Sequence, residues 1–370
     1  MTHDENEFVP GHRLSAALYE ECVRPALDRQ FPGLAYAAAL IGPGSDVLGY
    51  DTIRSTDHDW GPRLQIFVPE SERLELERPL LNAIEADLPR TLLGTAVDLP
   101  GSAQLPGDEV THHNSPGVGR QHGVIITSVD DQLDRTFGST DRPHDWDAAR
   151  WLTTPQQRLL EFTAGPLHHD SVGDLSEVRR SLAWYPDDLW LYLMSGRWQR
   201  IGQLEPFVGR CSETEDDLGS RVITASLVRD AMRLALLQRR RYPPYPKWLG
   251  TAFSGAESDG SLTGPLTAAL TATDPLERQR ALTTAMVELG RRQDALQLTD
   301  PLGLRAGHFF GRPYLVVWGE RHARALHRAI GDPRVAGLPF GLGGCDEVTD
   351  STDALGSNEL LRSLAHFYSG

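Results

Sequence analysis

The sequence predicts a two-part chain of the α/β or α+β class: a mixed sheet with flanking helices, followed by a mainly helical domain. Short apolar runs at 34–41, 63–68 and 124–129 read as strands separated by helical patterns. From Pro155 onward the apolar spacing becomes helical over long segments.

Taken in order, Leu14, Ala17, Leu18, Val23 and Leu27 fall at helical spacing over Ser15 to Gln30, and Phe31-Pro32-Gly33 ends that helix. The run Leu34 to Ile41 is apolar throughout, as a buried strand is, and stops at Gly42-Pro43-Gly44-Ser45. A second strand is expected over Arg63 to Val68, and Pro69 closes it. Ser71 can cap a helix running to about Leu88. A third strand is expected over Leu92 to Leu99, then a Gly-, Pro- and His-rich loop from Pro100 to Arg120, then a β-branched strand over Val124 to Val129. Helices are expected over Gln156–Ala164, Leu189–Glu205, Val222–Arg241, Pro265–Ala272 and Leu276–Gln293. Near the end, Tyr314 to Trp318 reads as a strand and Arg321 to Ile330 as a helix. The expected domains are therefore 1–150 and 151–370, with a small mixed tail at 311–370.

The chain has 370 residues and is 40% hydrophobic, which is enough for sizeable cores in two domains. A formal charge of −15 argues against broad binding to nucleic acid, whose phosphates call for a basic surface. It leaves open a single nucleotide held by a metal ion and a few local cations. Cys22, Cys211 and Cys345 have neither zinc-site nor disulfide-framework spacing. The start, Met1 to Glu7, is acidic and polar, unlike a secretory signal, and no apolar run has membrane-spanning length, so the cytoplasm is the expected location.

The stretch most suggestive of chemistry runs from Gly42 to Trp60. A Gly44-Ser45 turn directly follows a buried strand, where backbone amides can face an anion. Asp57 and Asp59 are two apart, so on a strand they point to the same side. Two carboxylates beside an amide-lined turn can hold a divalent metal and a nucleoside triphosphate together. Gly-Ser followed by Asp-x-Asp resembles the polymerase-β-like nucleotidyltransferases. Several stretches resemble, more narrowly, the bacterial DUF4037-type proteins: Gly44 to Asp51, Ser55 to Arg63, Trp184 to Asp188, Phe207 to Arg210 and Tyr245 to Trp248.

The resemblance implies a nucleotidyltransferase-fold sheet in the N-terminal half and a helical C-terminal half. It also implies Mg²⁺ or Mn²⁺ held by Asp57 and Asp59, with a triphosphate, ATP by expectation, seated on Gly44 and Ser45. The superfamily's third carboxylate falls at Asp98 by strand order; Asp130 or Asp131 is the alternative, and so is no third acid at all. The acceptor, a small molecule or a protein, would lose its proton to that acid or to Glu205. Arg63, Arg210 and Lys247 are candidate phosphate contacts; Arg63 can equally pair with Asp57 or Asp59, and Arg210 and Lys247 can be solvated surface charges. His58, between the two acids, faces away from them on a strand. His112-His113 and His168-His169 lack metal-site spacing. Arg321 to His327 loosely matches the Arg-x4–6-His pattern of HEPN ribonucleases, a short pattern common on Arg-rich helices. Trp184, Tyr185, Trp190, Tyr192 and Trp198 read as core. Two other functions compete with the transferase: a catalytically incomplete nucleotide-binding sensor, and a toxin–antitoxin-like modifying module.

Overall fold

A computed structural model describes residues 8–57, 60–98, 122–347 and 350–368, without the side chain of Asp57. The chain forms two compact units. The first holds residues 1–145 and 158–183, the second 146–157 and 184–370. The sequence pattern placed one cut at 150/151; the chain instead crosses between the units three times.

The first unit begins with α1 (Gly11–Ala17), which passes through a π-helical stretch (Leu18–Val23) into α2 (Arg24–Gln30). Then come β1 (Ala37–Ala39), α3 (Ser45–Leu48), a 3-10 turn (Ile53–Asp57), β2 (Arg63–Phe67) and α4 (Glu70–Glu85). Pro69, not Ser71, precedes the first helical residue of α4. The third strand expected over Leu92 to Leu99 is instead a hairpin, β3 (Thr91–Leu92) and β4 (Thr95–Ala96), that forms its own two-stranded sheet. Leu93 and Gly94, both at positive φ, make the two-residue turn that folds it back.

β5 (Gly123–Thr127) runs into α5 (Val129–Phe137), which Ser128 caps by accepting from the Asp131 N–H at 3.0 Å. The chain then enters the second unit with α6 (Ala148–Leu152) and returns along α7 (Gln156–Thr163), β6 (Leu167–Asp170) and α8 (Asp174–Ser181).

The main sheet has the order β5-β2-β1-β6. β1 is antiparallel to β2, with Ala37 opposite Phe67, and antiparallel to β6, with Ala37 opposite Asp170. β2 and β5 are parallel, with Gln65 opposite Ile125. Leu64, Ile66, Val124 and Ile126 join Leu18, Val23, Leu27, Leu80 and Ile84 in one buried cluster, so one face of the sheet is closed by the first helices and α4. Gly165 lets the chain approach β1, since a Cβ there would overlap the Leu40 carbonyl oxygen.

The second unit is built on α9 (Asp187–Glu213) and α10 (Asp217–Gln238), joined by a short turn that Asp216 caps through the Gly219 N–H at 2.8 Å. α11 (Pro246–Ala256), α12 (Thr263–Thr271) and α13 (Pro275–Ala295) follow. After the small β7 (Gly307–His308) and β8 (Leu315–Val316) pair come α14 (Glu320–Arg328), α15 (Pro333–Ala336), α16 (Thr352–Gly356) and α17 (Asn358–Leu364). α9 packs on both α10 and α14, and α10 on α13. Of the expected core aromatics, Tyr185, Trp190, Tyr192 and Trp198 are buried and Trp184 is half-buried. Trp190 donates to the Leu237 carbonyl at 2.8 Å and Trp198 to Gln293 Oε1 at 3.1 Å, whereas Trp184 Nε1 has no hydrogen-bond partner among the described residues. No helix among the described residues is long and apolar enough to cross a membrane.

Candidate functional site

The glycine turn after β1 is held by side chains from β2. Alternation sends Leu64 and Ile66 into the core and Arg63 and Gln65 to the other face. There the Gln65 amide closes on the Ile41 backbone, accepting its N–H at 2.8 Å and donating to its carbonyl at 2.7 Å. Arg63 forks onto Asp46, with Nε to Oδ2 at 2.9 Å and Nη2 to Oδ1 at 2.6 Å, and also donates to the Pro43 carbonyl at 2.6 Å. Asp46 is fully buried, so this pair is a fixed strut. Gly11 makes room for it, since a Cβ on Gly11 would strike the Asp46 side chain.

Between these anchors, Gly42 and Gly44 sit at φ 125° and 126°, values that side-chain-bearing residues rarely adopt. Ser45 opens α3, and Gly49 at φ 70° ends it. Among the described residues the N–H groups of Gly44 and Ser45 have no hydrogen-bond acceptor. A turn with two spare N–H groups is suited to receive an anion.

The segment from the turn to the acids is pinned at both ends. Asp51 Oδ2 accepts from the Gly11 N–H at 2.7 Å and from Trp60 Nε1 at 2.9 Å, and Trp60 stacks on Phe8. Ser55 Oγ accepts from the Thr52 N–H, and Thr56 donates to the Ile53 carbonyl, which favours a turn over a strand. Asp57 therefore closes a 3-10 turn and does not lie on a strand. The same-face expectation from strand alternation has no footing there; His58 and Asp59 lie outside the described residues.

The other expected residues are dispersed. Asp98 is exposed, and its backbone bridges antiparallel to His122, the residue that precedes β5. β5, the strand beside β2, carries Ile125 opposite Gln65. Asp130 pairs with Arg142 at 2.8 Å and Asp131 with Arg73 at 2.8 Å. In the second unit both oxygens of Glu205 accept backbone N–H groups, from Val317 at 2.5 Å and Gly319 at 3.0 Å. Glu205 is thus an anchor for that bend. Burial pushes its carboxyl up to about 7. Arg210 and Lys247 are exposed, the first over the Phe207 ring and the second over the Trp248 ring.

Among the histidines, His168 Nε2 meets Ser15 Oγ at 2.9 Å and His169 packs on Tyr36; His112 and His113 lie outside the described residues. His322 is fully buried against Trp198, and burial pushes it down to about 4; His327, the histidine of the Arg-x4–6-His match, is half-buried against the Phe340 ring. Among the described residues no group of three His, Cys, Asp or Glu is placed to hold a metal ion.

Sequence reasoning missed Asp46 as the partner of Arg63, and it missed β6. For Asp46 the available signal was an acid inside the glycine turn, followed by an arginine at the start of the next strand.

The first unit is therefore a mixed-sheet α+β module with a glycine turn and adjacent acids, and the second is a helical module. Residues 151–249 match the model of a family described as a domain of unknown function, DUF4037. That stretch includes three of the motifs that carry the resemblance, at Trp184–Asp188, Phe207–Arg210 and Tyr245–Trp248, and does not reach Gly44 or Asp57. No curated protein and no solved structure matches the chain.

Proposed function

We propose that the first unit binds a nucleoside triphosphate with Mg²⁺ and transfers its nucleoside monophosphate to an acceptor, releasing pyrophosphate. The observation that supports this most is the glycine turn, braced by Arg63–Asp46 and Gln65, with the Gly44 and Ser45 N–H groups unpartnered among the described residues. Asp57 and Asp59 offer two carboxylates, the hard oxygen donors that Mg²⁺ or Mn²⁺ takes, so the donor set fits the ion. When bound, the ion neutralises triphosphate charge.

The chain's own part is positional. The Gly44 and Ser45 amides hold phosphate oxygens, while Asp51 and Trp60 fix the segment that carries the acids. The acceptor oxygen or nitrogen bonds to the α-phosphorus as the bond to the pyrophosphate oxygen breaks. Its proton passes to a carboxylate base, Asp98 by the expectation from the sequence.

A screen of the four triphosphates with Mg²⁺ or Mn²⁺, read as thermal shift and pyrophosphate release, tests this. Binding is expected, and it should be lost in the variant Asp57→Ala with Asp59→Ala, whose fold is retained. Unchanged Mg·NTP affinity in that variant would overturn the proposal. A second reading, a nucleotide-binding sensor without turnover, is favoured by the engagement of Asp130, Asp131 and Glu205 with other groups. Binding without pyrophosphate release would select it.

A further inference from the structure

The second unit contains a cavity of about 230 Å³. That is small for a whole drug-sized ligand and suited to a head group. One side is α9, with Gln199, Gly202 and Glu205; another is the rings of Phe309, Phe310 and Trp318; Glu320 completes it at the start of α14. The rings form a connected wall, with Trp318 5.5 Å from Phe309 and 5.3 Å from Phe310 between centroids. Gly202 lets Glu320 lie against α9, since a Cβ there would come within 2.9 Å of its carboxylate oxygen.

The chemistry of the lining selects a cation. Among the described residues no lysine, arginine or histidine lines the cavity, and two carboxylates do. Glu205 is engaged by two backbone N–H groups, whereas Glu320 makes no hydrogen bond or ion pair among the described residues. The open carboxylate is an acceptor, so the missing group is a donor. Aromatic faces beside a carboxylate attract a cation further. A protonated primary amine has three N–H donors, a positive charge and no acceptor.

We infer that this cavity binds a primary ammonium head group, with Glu320 accepting its N–H groups and the Phe309, Phe310 and Trp318 rings flanking it. The site belongs to the second unit and does not depend on the proposed transfer reaction. Such a head group could come from a free polyamine or from a protein lysine.

The test is titration of the full chain with n-butylammonium, followed by calorimetry and tryptophan fluorescence. Binding near the millimolar range is expected, weakened about tenfold in Glu320→Gln and in Phe310→Ala. Phe310 is 79% exposed, so its truncation leaves the core intact. Tetramethylammonium, which has charge but no N–H, is expected to bind less well. Spermidine and Nα-acetyl-lysine methylamide separate the two sources, and the tighter of them names the physiological class. The inference is overturned if butylammonium does not bind, or if both variants bind it as tightly as the unaltered chain.

Discussion

The guanidinium of Arg63 and the carboxylate of Asp46 are a closed pair at the base of the glycine turn, and Asp46 has no exposed surface. Arg63→Ala leaves a buried carboxylate without its partner, so a loss of about 3–5 kcal/mol is expected in urea unfolding. Arg63→Met with Asp46→Leu should recover much of that loss; a penalty for Arg63→Ala under about 1 kcal/mol would show that the pair is not a strut. Glu205 sets a pH dependence of its own. Its folded-state carboxyl is raised from 4.5 to about 7 by burial, so its contribution is fully present below pH 4.5 and is lost as pH rises toward 7. The loss is roughly 3 kcal/mol. Asp346, raised to about 6, acts in the same direction at lower pH, while His322, lowered from 6.5 to about 4, loses stability as pH falls through that interval. The three overlap, so the measurement is a difference. Between pH 4.5 and 7 the unaltered chain should lose stability relative to Glu205→Gln, and a flat difference would contradict the burial of that proton.

At the scale of elements, the turn between β1 and α3 depends on glycine at two positive-φ positions. Gly44→Ala should cost roughly 1–3 kcal/mol in thermal or urea unfolding, and it should weaken Mg·NTP binding if the turn holds phosphate. The elements most legible in the sequence were those whose period is set by burial. β2, β5, α9 and α10 each bury a recurring set of positions, and that recurrence survives in the letters. β6 escaped because Leu167-His168-His169-Asp170 has neither an apolar run nor an alternation; it is a strand because β1 needs a partner on that edge. The hairpin at Leu93-Gly94 escaped because a leucine occupies a left-handed position there. The site was legible only as far as local order reaches. Gly44-Ser45 at the end of a strand could be read directly, but Arg63 to Asp46 spans 17 positions, and the partners expected for Arg63 were a phosphate or the nearer Asp57 or Asp59. The 3-10 turn at Asp57 follows from side-chain bonds of Ser55 and Thr56, which compete with a strand without leaving a periodic trace.

At the scale of the molecule, the first unit is assembled from two separated pieces of chain. The second piece supplies β6, the buried Leu159 and Phe162, the Phe162–Phe137 ring contact at 5.5 Å, and the Glu161 carbonyl that accepts the Gly42 N–H at 3.0 Å. A fragment ending at residue 150 therefore lacks an edge of its sheet and part of its core. It should show no cooperative thermal transition and no near-ultraviolet dichroism of fixed aromatics, whereas the full chain should show both; a cooperative melt of that fragment would refute the assignment of 158–183 to this unit.

The same pairing sets a waiting time during synthesis. Ala37 finds Phe67 early, but its other neighbour, Asp170, emerges about a hundred residues later. At roughly 5–20 residues per second, the bare side of β1 stays unpaired for roughly 5–20 s on the ribosome. A row of three alanines is a poor template for foreign strands compared with valine or isoleucine. The small residues at Ala37–Ala39 thus keep the nascent edge quiet until its own partner arrives.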